Sequence, residues 1–290
     1  MENLPAYVKL LSFLFIIIYM ISVMLETTRG EVIATLKDFS LTSRALLANV
    51  VIVPIIGLVL AKMFELRPEV RLGFLLLALA PGGPFALQFA RVSKGNRVLA
   101  VALLILLSLV AVFFTPALVE LLFPPGTGRL PFARLLTLLL SWIVAPLLVG
   151  RALQRLMPEV APKLGRFLGM LSIVIFIIAA VSAGKYKTPA IKSMGVDGIV
   201  AIIALTLGSW VIGWLLGGPE IRNRKVFAIS TSMRNVGVCF PIAVNYFSGT
   251  EVVAPILAFS GISIPMNMLF ALITGRMLHD TEAHARPVEA

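Results

Sequence analysis

Acidic residues are scarce in this chain: 14 Asp and Glu stand against 25 Lys and Arg in 290 residues, and only 13% of positions are charged. A soluble globular domain carries about 25%. No carboxylate sits at the centre of an apolar run, and both histidines, His279 and His284, fall in the polar C-terminal stretch. That placement excludes an intramembrane histidine proton relay. The single cysteine, Cys239, cannot close an internal disulfide, and no Cys/His cluster offers a metal site. An intramembrane enzyme would need a nucleophile beside a base, or a metal. Neither constellation is present, so no catalytic residue, metal or cofactor is expected.

Apolar residues are abundant. They make up 59% of the chain, and the mean hydropathy is +1.00. A membrane span needs about 20 of them in succession. Runs of that order fall near 7–25, 43–63, 98–122, 132–153, 165–183, 196–216 and 252–277. Segments 69–93 and 224–247 are near spanning length but are interrupted midway. Counting each as one crossing predicts an all-α polytopic membrane protein of about nine spans with the lipid bilayer as its solvent. The first run follows a lone Lys9 with no small-residue cleavage site after it, and reads as a retained span.

The net charge of +11 is spread in short clusters between these runs, which is the pattern of topology signals and not of a nucleic-acid surface. The positive-inside rule places the N-terminus outside and the C-terminus in the cytoplasm of a cell membrane (an inner membrane in a two-membrane envelope). The clusters Arg91, Lys94, Arg97 and Arg222, Arg224, Lys225 then lie in inner loops. Glu26 and Asp38 lie at or beyond span ends and read as solvated. Residues 1–278 form a single transmembrane unit, and 279–290 form a loose polar tail.

The two interruptions carry the functional signal. Pro81-Gly82-Gly83-Pro84 cannot continue an α-helix, because the prolines remove donors and the glycines raise the cost of helical backbone. Irregular backbone at membrane depth must face protein or a water-filled cavity. The second interruption is polar: Ser230, Thr231, Ser232, Arg234 and Asn235 stand within six residues. Paired broken spans in corresponding halves of a chain point to an inverted-repeat transporter with its site at the crossing. Half-helix N-termini there suit an anion.

These residues resemble the bile acid:sodium symporter superfamily, over nearly the whole chain. The anchors are "LALAPGGPFALQFARVSKGN" (Leu77 to Asn96), Thr115-Pro116 and "STSMRNVGV" (Ser230 to Val238). The resemblance implies the family's nine-span form, with inverted repeats, two broken helices crossing in a core (roughly 43–122 and 196–277) and a panel (roughly 7–42 and 132–183). Substrate would bind between core and panel. It also implies where sodium ligands belong, and here the chain departs. The Thr-Ala-Ser-Asn segment of sodium-coupled members reads Pro84, Phe85, Ala86, Leu87. The next span keeps only Ser108 as a hydroxyl. At the second sodium site the glutamate position is Ser230, the glutamine position is Arg234, and a glutamine of an earlier span falls on Asn49.

Arg234 is therefore expected to stand where a sodium ion would sit. Carbonyls freed at the break and Asn49 Oδ1 would satisfy several of its five donors, and the charge then either pins the crossing as a permanent structural cation or reaches the anion of the substrate. Further candidates for the ion or substrate site are Asn235, Ser230, Thr231, Gln88, Asn267 and Ser263. Asn267 and Ser263 read equally well as bonds between helices. The expected function is a secondary transporter of a small, carboxylate-like organic anion that does not require sodium at the usual sites. A sodium symporter working through backbone carbonyls, and a non-transporting receptor of the same fold, stay open at this point.

Overall fold

The computed structural model describes residues 5–27, 30, 33, 37–122, 132–247 and 250–284, with the side chains of 185–187, 190 and 277–284 left aside. The regular structure among them is helical. In chain order we name α1 (Ala6–Leu25), α2 (Phe39–Met63), α3 (Pro68–Ala78), α4 (Ala86–Val92), α5 (Arg97–Leu122), α6 (Phe132–Leu156), α7 (Ala161–Ser182), α8 (Gly184–Leu216), α9 (Ile221–Ser232), α10 (Val236–Tyr246) and α11 (Val253–His284). Eight helical segments among the described residues are long and apolar enough to cross a membrane. The α9–α10 pair is one of them, whereas neither α3 nor α4 alone reaches that length. The last helix continues to His284, through the first half of the stretch expected as a loose tail; residues 285–290 lie outside the described set.

Local chemistry sets several boundaries. Asp38 is exposed, as expected, and its Oδ1 accepts from Leu41 N at 3.0 Å and caps α2. Midway, α2 widens into a π-turn over Leu47–Ile52, just ahead of Pro54. Proline lacks an N–H and crowds the carbonyl four residues back, and the wider turn makes room for it. The same device recurs in α6, where the π-turn Leu140–Val144 precedes Pro146. In α8 the backbone breaks at Gly195 (φ 70°, ψ 178°), directly before the expected span start at 196.

Close packing groups α1 with α6 and α7. Glycines allow the approach: a Cβ on Gly150 of α6 would lie 2.8 Å from Ile21 O, and one on Gly169 of α7 would lie 2.8 Å from Ser22 Oγ. Ser22 Oγ also donates to Gly165 O at 2.8 Å. Small residues at helix contacts are the usual solution where lipid removes the hydrophobic drive between helices. The α9–α10 segment is the most enclosed of the eight, with 94% of its apolar window buried. The polar interruption therefore sits where no lipid reaches it.

Candidate functional site: the crossing of two broken helices

Between α3 and α4 the chain is non-helical from Leu79 to Phe85, and between α9 and α10 from Met233 to Asn235. The two breaks cross and pair through their backbones. Gly83 N donates to Met233 O at 3.0 Å, and Asn235 N donates to Ala80 O at 2.8 Å. Glycine is required at two positions. A Cβ on Gly83 would meet Arg234 O at 2.6 Å, and Gly82 adopts φ +83° with Ser108 N 2.7 Å from its would-be Cβ.

Buried carbonyls need donors, and the break exposes a run of them. Arg234 supplies the largest share. Its side chain is fully buried. Nε donates to Leu77 O at 3.0 Å and Nη2 to Ala78 O at 2.6 Å, both at the C-terminal end of α3. Nη1 donates to Asn49 Oδ1 at 3.2 Å and to Thr231 O at 3.3 Å. The remaining carbonyls take other donors. Thr115 Oγ1 reaches Leu79 O at 2.9 Å, Ser108 Oγ reaches Gly82 O at 3.4 Å, and Tyr19 Oη reaches Pro84 O at 2.5 Å.

No ion pair to Arg234 is found among the described residues. The charge is compensated by the negative end of a helix and by amide dipoles, the partners that suit a cation there. Asn49 is presented by the π-turn of α2. Its Nδ2 donates to Ala45 O at 3.1 Å and to Thr231 Oγ1 at 3.3 Å, so the side chain is fixed in the orientation that turns Oδ1 to the guanidinium.

The other expected site residues divide. Asn235 caps α10, with Oδ1 accepting from Val238 N at 3.2 Å; its Nδ2, like Ser230 Oγ, is buried with no partner among the described residues. Phe85, Ala86 and Leu87 are buried and carry no side-chain oxygen. Gln88 is half-buried on α4.

Asn267 and Ser263 join a network between α8, α9 and α11. Asn267 Oδ1 accepts from Trp210 Nε1 at 3.0 Å and Ser232 Oγ at 2.5 Å, and Ser263 Oγ meets Thr206 Oγ1 at 2.7 Å. Of the two readings left open for these residues, this geometry matches bonding between helices.

Beside the crossing lies a cavity of about 710 Å³, including its open mouth. On one side stand Ser12, Phe15 and Ile16 of α1 with Phe176, Ala179 and Ala183 of α7. On the other stand Pro84, Phe85, Met233, Val236, Gly237 and Phe240, with Ile256, Leu257, Ser260 and Ile264 of α11. Neither Asn267 nor Ser263 is on its wall. Arg234 is, yet its hydrogen bonds among the described residues turn the guanidinium to carbonyls and Asn49. The cavity wall is therefore nearly all apolar or backbone.

Two residues escaped the sequence reading. Lys225, assigned there to an inner loop, lies on α9 and is fully buried; its Nζ donates to Ser93 O at 3.2 Å and Thr274 O at 2.5 Å. Its proximity to the basic loop cluster hid it; the start of a helix after Pro219-Glu220 was the available signal. Glu26, expected to be solvated, is only 11% exposed and holds Arg91 and Arg97.

A helical membrane interior built around two interrupted spans that cross and pair defines the class: an all-helical, polytopic membrane protein. The Sodium Bile acid symporter family model matches residues 13–193, more than half of the chain, and the protein belongs to that family. It is similar to an uncharacterized sodium-dependent transporter, YocS, of Bacillus subtilis (strain 168), at 26% identity over 70% of this chain and 64% of the relative. It is also similar to a probable chloroplastic sodium/metabolite cotransporter, BASS2, of Oryza sativa subsp. japonica, at 21% identity over 72% of this chain and 50% of the relative. The match thus spans half to two thirds of the length of these relatives. The family and these relatives are transporters and not enzymes.

Proposed function

We propose that this protein is a secondary transporter of a small organic anion of carboxylate type, and that Arg234 does permanently what a bound sodium ion does in sodium-coupled relatives. One observation carries the reading. A fully buried guanidinium, with no carboxylate partner among the described residues, holds the C-terminal carbonyls of α3 and the amide oxygen of Asn49. Those are the oxygen-rich surroundings a hard cation would take. The family resemblance puts a sodium ligand at that position, and its acidic partner is replaced by Ser230.

In this reading α1, α6 and α7 form the panel, the remaining helices form the core, and the substrate occupies the apolar cavity between them. Its body packs on Phe15, Phe85 and Phe240. Its charge lies toward the start of α10, where the N–H groups of a helix N-terminus favour an anion. The absence of a carboxylate or histidine at the crossing favours uniport or anion exchange over proton symport.

Uptake by the purified protein in vesicles, across a panel of carboxylates from acetate-sized to steroid-sized, tests this. Uptake that persists when choline replaces sodium is the expected result, and uptake that collapses overturns the role given to Arg234. In the double variant Ser230→Glu with Arg234→Gln, sodium-dependent uptake should appear.

A further inference from the structure

Three ion pairs are found among the described residues, and two of them meet on one oxygen: Glu26 Oε2 accepts from Arg91 Nη2 at 2.8 Å and from Arg97 Nη2 at 3.1 Å. Glu26 belongs to the layer formed by α1, α6 and α7, and it is held there firmly. It follows the last residue of α1 and caps that helix. Gln154 of α6 donates to Leu25 O at 3.3 Å and Thr27 O at 2.8 Å on either side of it. A Cβ on Gly165 of α7 would lie 2.9 Å from Glu26 Cγ, so the carboxylate stem is packed into that helix. The arginines belong to the other layer, Arg91 to the end of α4 and Arg97 to the start of α5. A fixed carboxylate on one layer therefore gathers two guanidiniums from the other.

Contacts between the same layers continue upward from this point. Tyr19 donates to Pro84 O. Phe85 stacks on Phe15 with ring centroids 5.4 Å apart and meets Phe176 edge-on at 4.4 Å. The cavity begins above this aromatic floor, lined on α1 by Ser12, Phe15 and Ile16 and on α7 by Phe176 to Ala183. Glu26 is ten residues beyond Ile16, about 15 Å along a helix. Glycines 165 and 169 are correspondingly at the opposite end of α7 from Ala183. The molecule is joined at the Glu26 end and hollow toward the other.

We infer that Glu26, with Arg91 and Arg97, is an ionic latch that holds the two layers together at the end of α1 away from the cavity. Opening that end requires the latch to part. The inference rests on the proposed transporter function and adds that the two layers move relative to one another during transport. Arg91 and Arg97 are 36% and 58% exposed in their side chains, so the latch is reachable by water and salt, as a contact that must break and reform has to be.

The test is a distance measurement on the full chain in lipid, with spin labels on Lys163→Cys of α7 and Val98→Cys of α5. Cys239 is buried and stays unlabelled. The otherwise native protein should show one short-distance population. Glu26→Gln, which keeps the shape and removes the charge, should raise a second, longer-distance population about fivefold, a change of about 1 kcal/mol in the equilibrium. Raising salt to 1 M should act in the same direction. The reversed hub, Glu26→Arg with Arg91→Glu and Arg97→Glu, should return the short distance.

An unchanged distribution in Glu26→Gln overturns the latch. So does a reversed hub that behaves like Glu26→Gln, since opposite charges facing each other across the layers would then not be what holds the short distance. Vesicle uptake separates this from the transporter reading: a latch that responds in a protein with no uptake sinks that reading only, and uptake without a latch response sinks the latch only.

Discussion

A guanidinium with no lipid or water around it is tolerable only if nearly all its donors are used, and at Arg234 four bonds to oxygen do this. Arg234→Met removes the charge, takes from Ala78 O and Asn49 Oδ1 the donors they have here, and leaves Leu77 O with Ala80 N alone. We expect a loss of about 3–5 kcal/mol, the usual scale for removing one side of a buried charged contact, read as a lower unfolding midpoint in detergent. Arg234→Lys should recover only part of it, because a point charge with three donors cannot reproduce the planar fork. Asn267→Leu removes the acceptor of Trp210 Nε1 and leaves Ser232 Oγ with Ile229 O alone; it should cost about 1–3 kcal/mol, while the KM of uptake stays unchanged because the side chain is off the cavity wall. Arg234 was legible in the sequence because a charge inside an apolar run has no bland explanation. Lys225 was not: a lysine among arginines at the edge of a run looks solvated until α4 and α11 are seen to close over it.

At the scale of elements, the breaks work because they are paired. Gly83→Ala forces a methyl group to within 2.6–2.8 Å of backbone atoms of Met233 and Arg234, and backbone cannot yield as a side-chain tip can. This variant is expected to lose the folded population in size-exclusion profiles. Gly261→Ala, in the middle of α11 with Ile191 Cδ1 3.8 Å away, meets ordinary contact only. It should raise stability by up to about 1 kcal/mol through helix propensity. The sequence announced the first break through four consecutive helix breakers. It announced the second only through polarity, and it gave no sign of the π-turns, because a wider turn costs one shifted hydrogen bond and leaves the apolar pattern intact.

For the whole molecule, the placement of basic residues predicts an external N-terminus and a cytoplasmic C-terminus. Cysteines placed near each end, in intact cells, should react with a membrane-impermeant thiol reagent only at the N-terminal site. Burial of Lys225 takes one charge out of the inner set without changing its sign. The amino-acid order by itself determined the solvent of this protein, the approximate bounds of most spans, and the two places where helix must fail. Those properties depend on runs of neighbours along the chain: apolar length, helix breakers and unpaired charge. Only the tertiary structure decided which oxygens receive Arg234, that Asn267 bonds helices and does not face the cavity, and that Glu26 reaches across to a second layer. Each of these depends on groups dozens to nearly two hundred positions apart, such as Asn49 and Arg234, whose meeting is set by how helices pack and cross and leaves no periodic trace in the sequence.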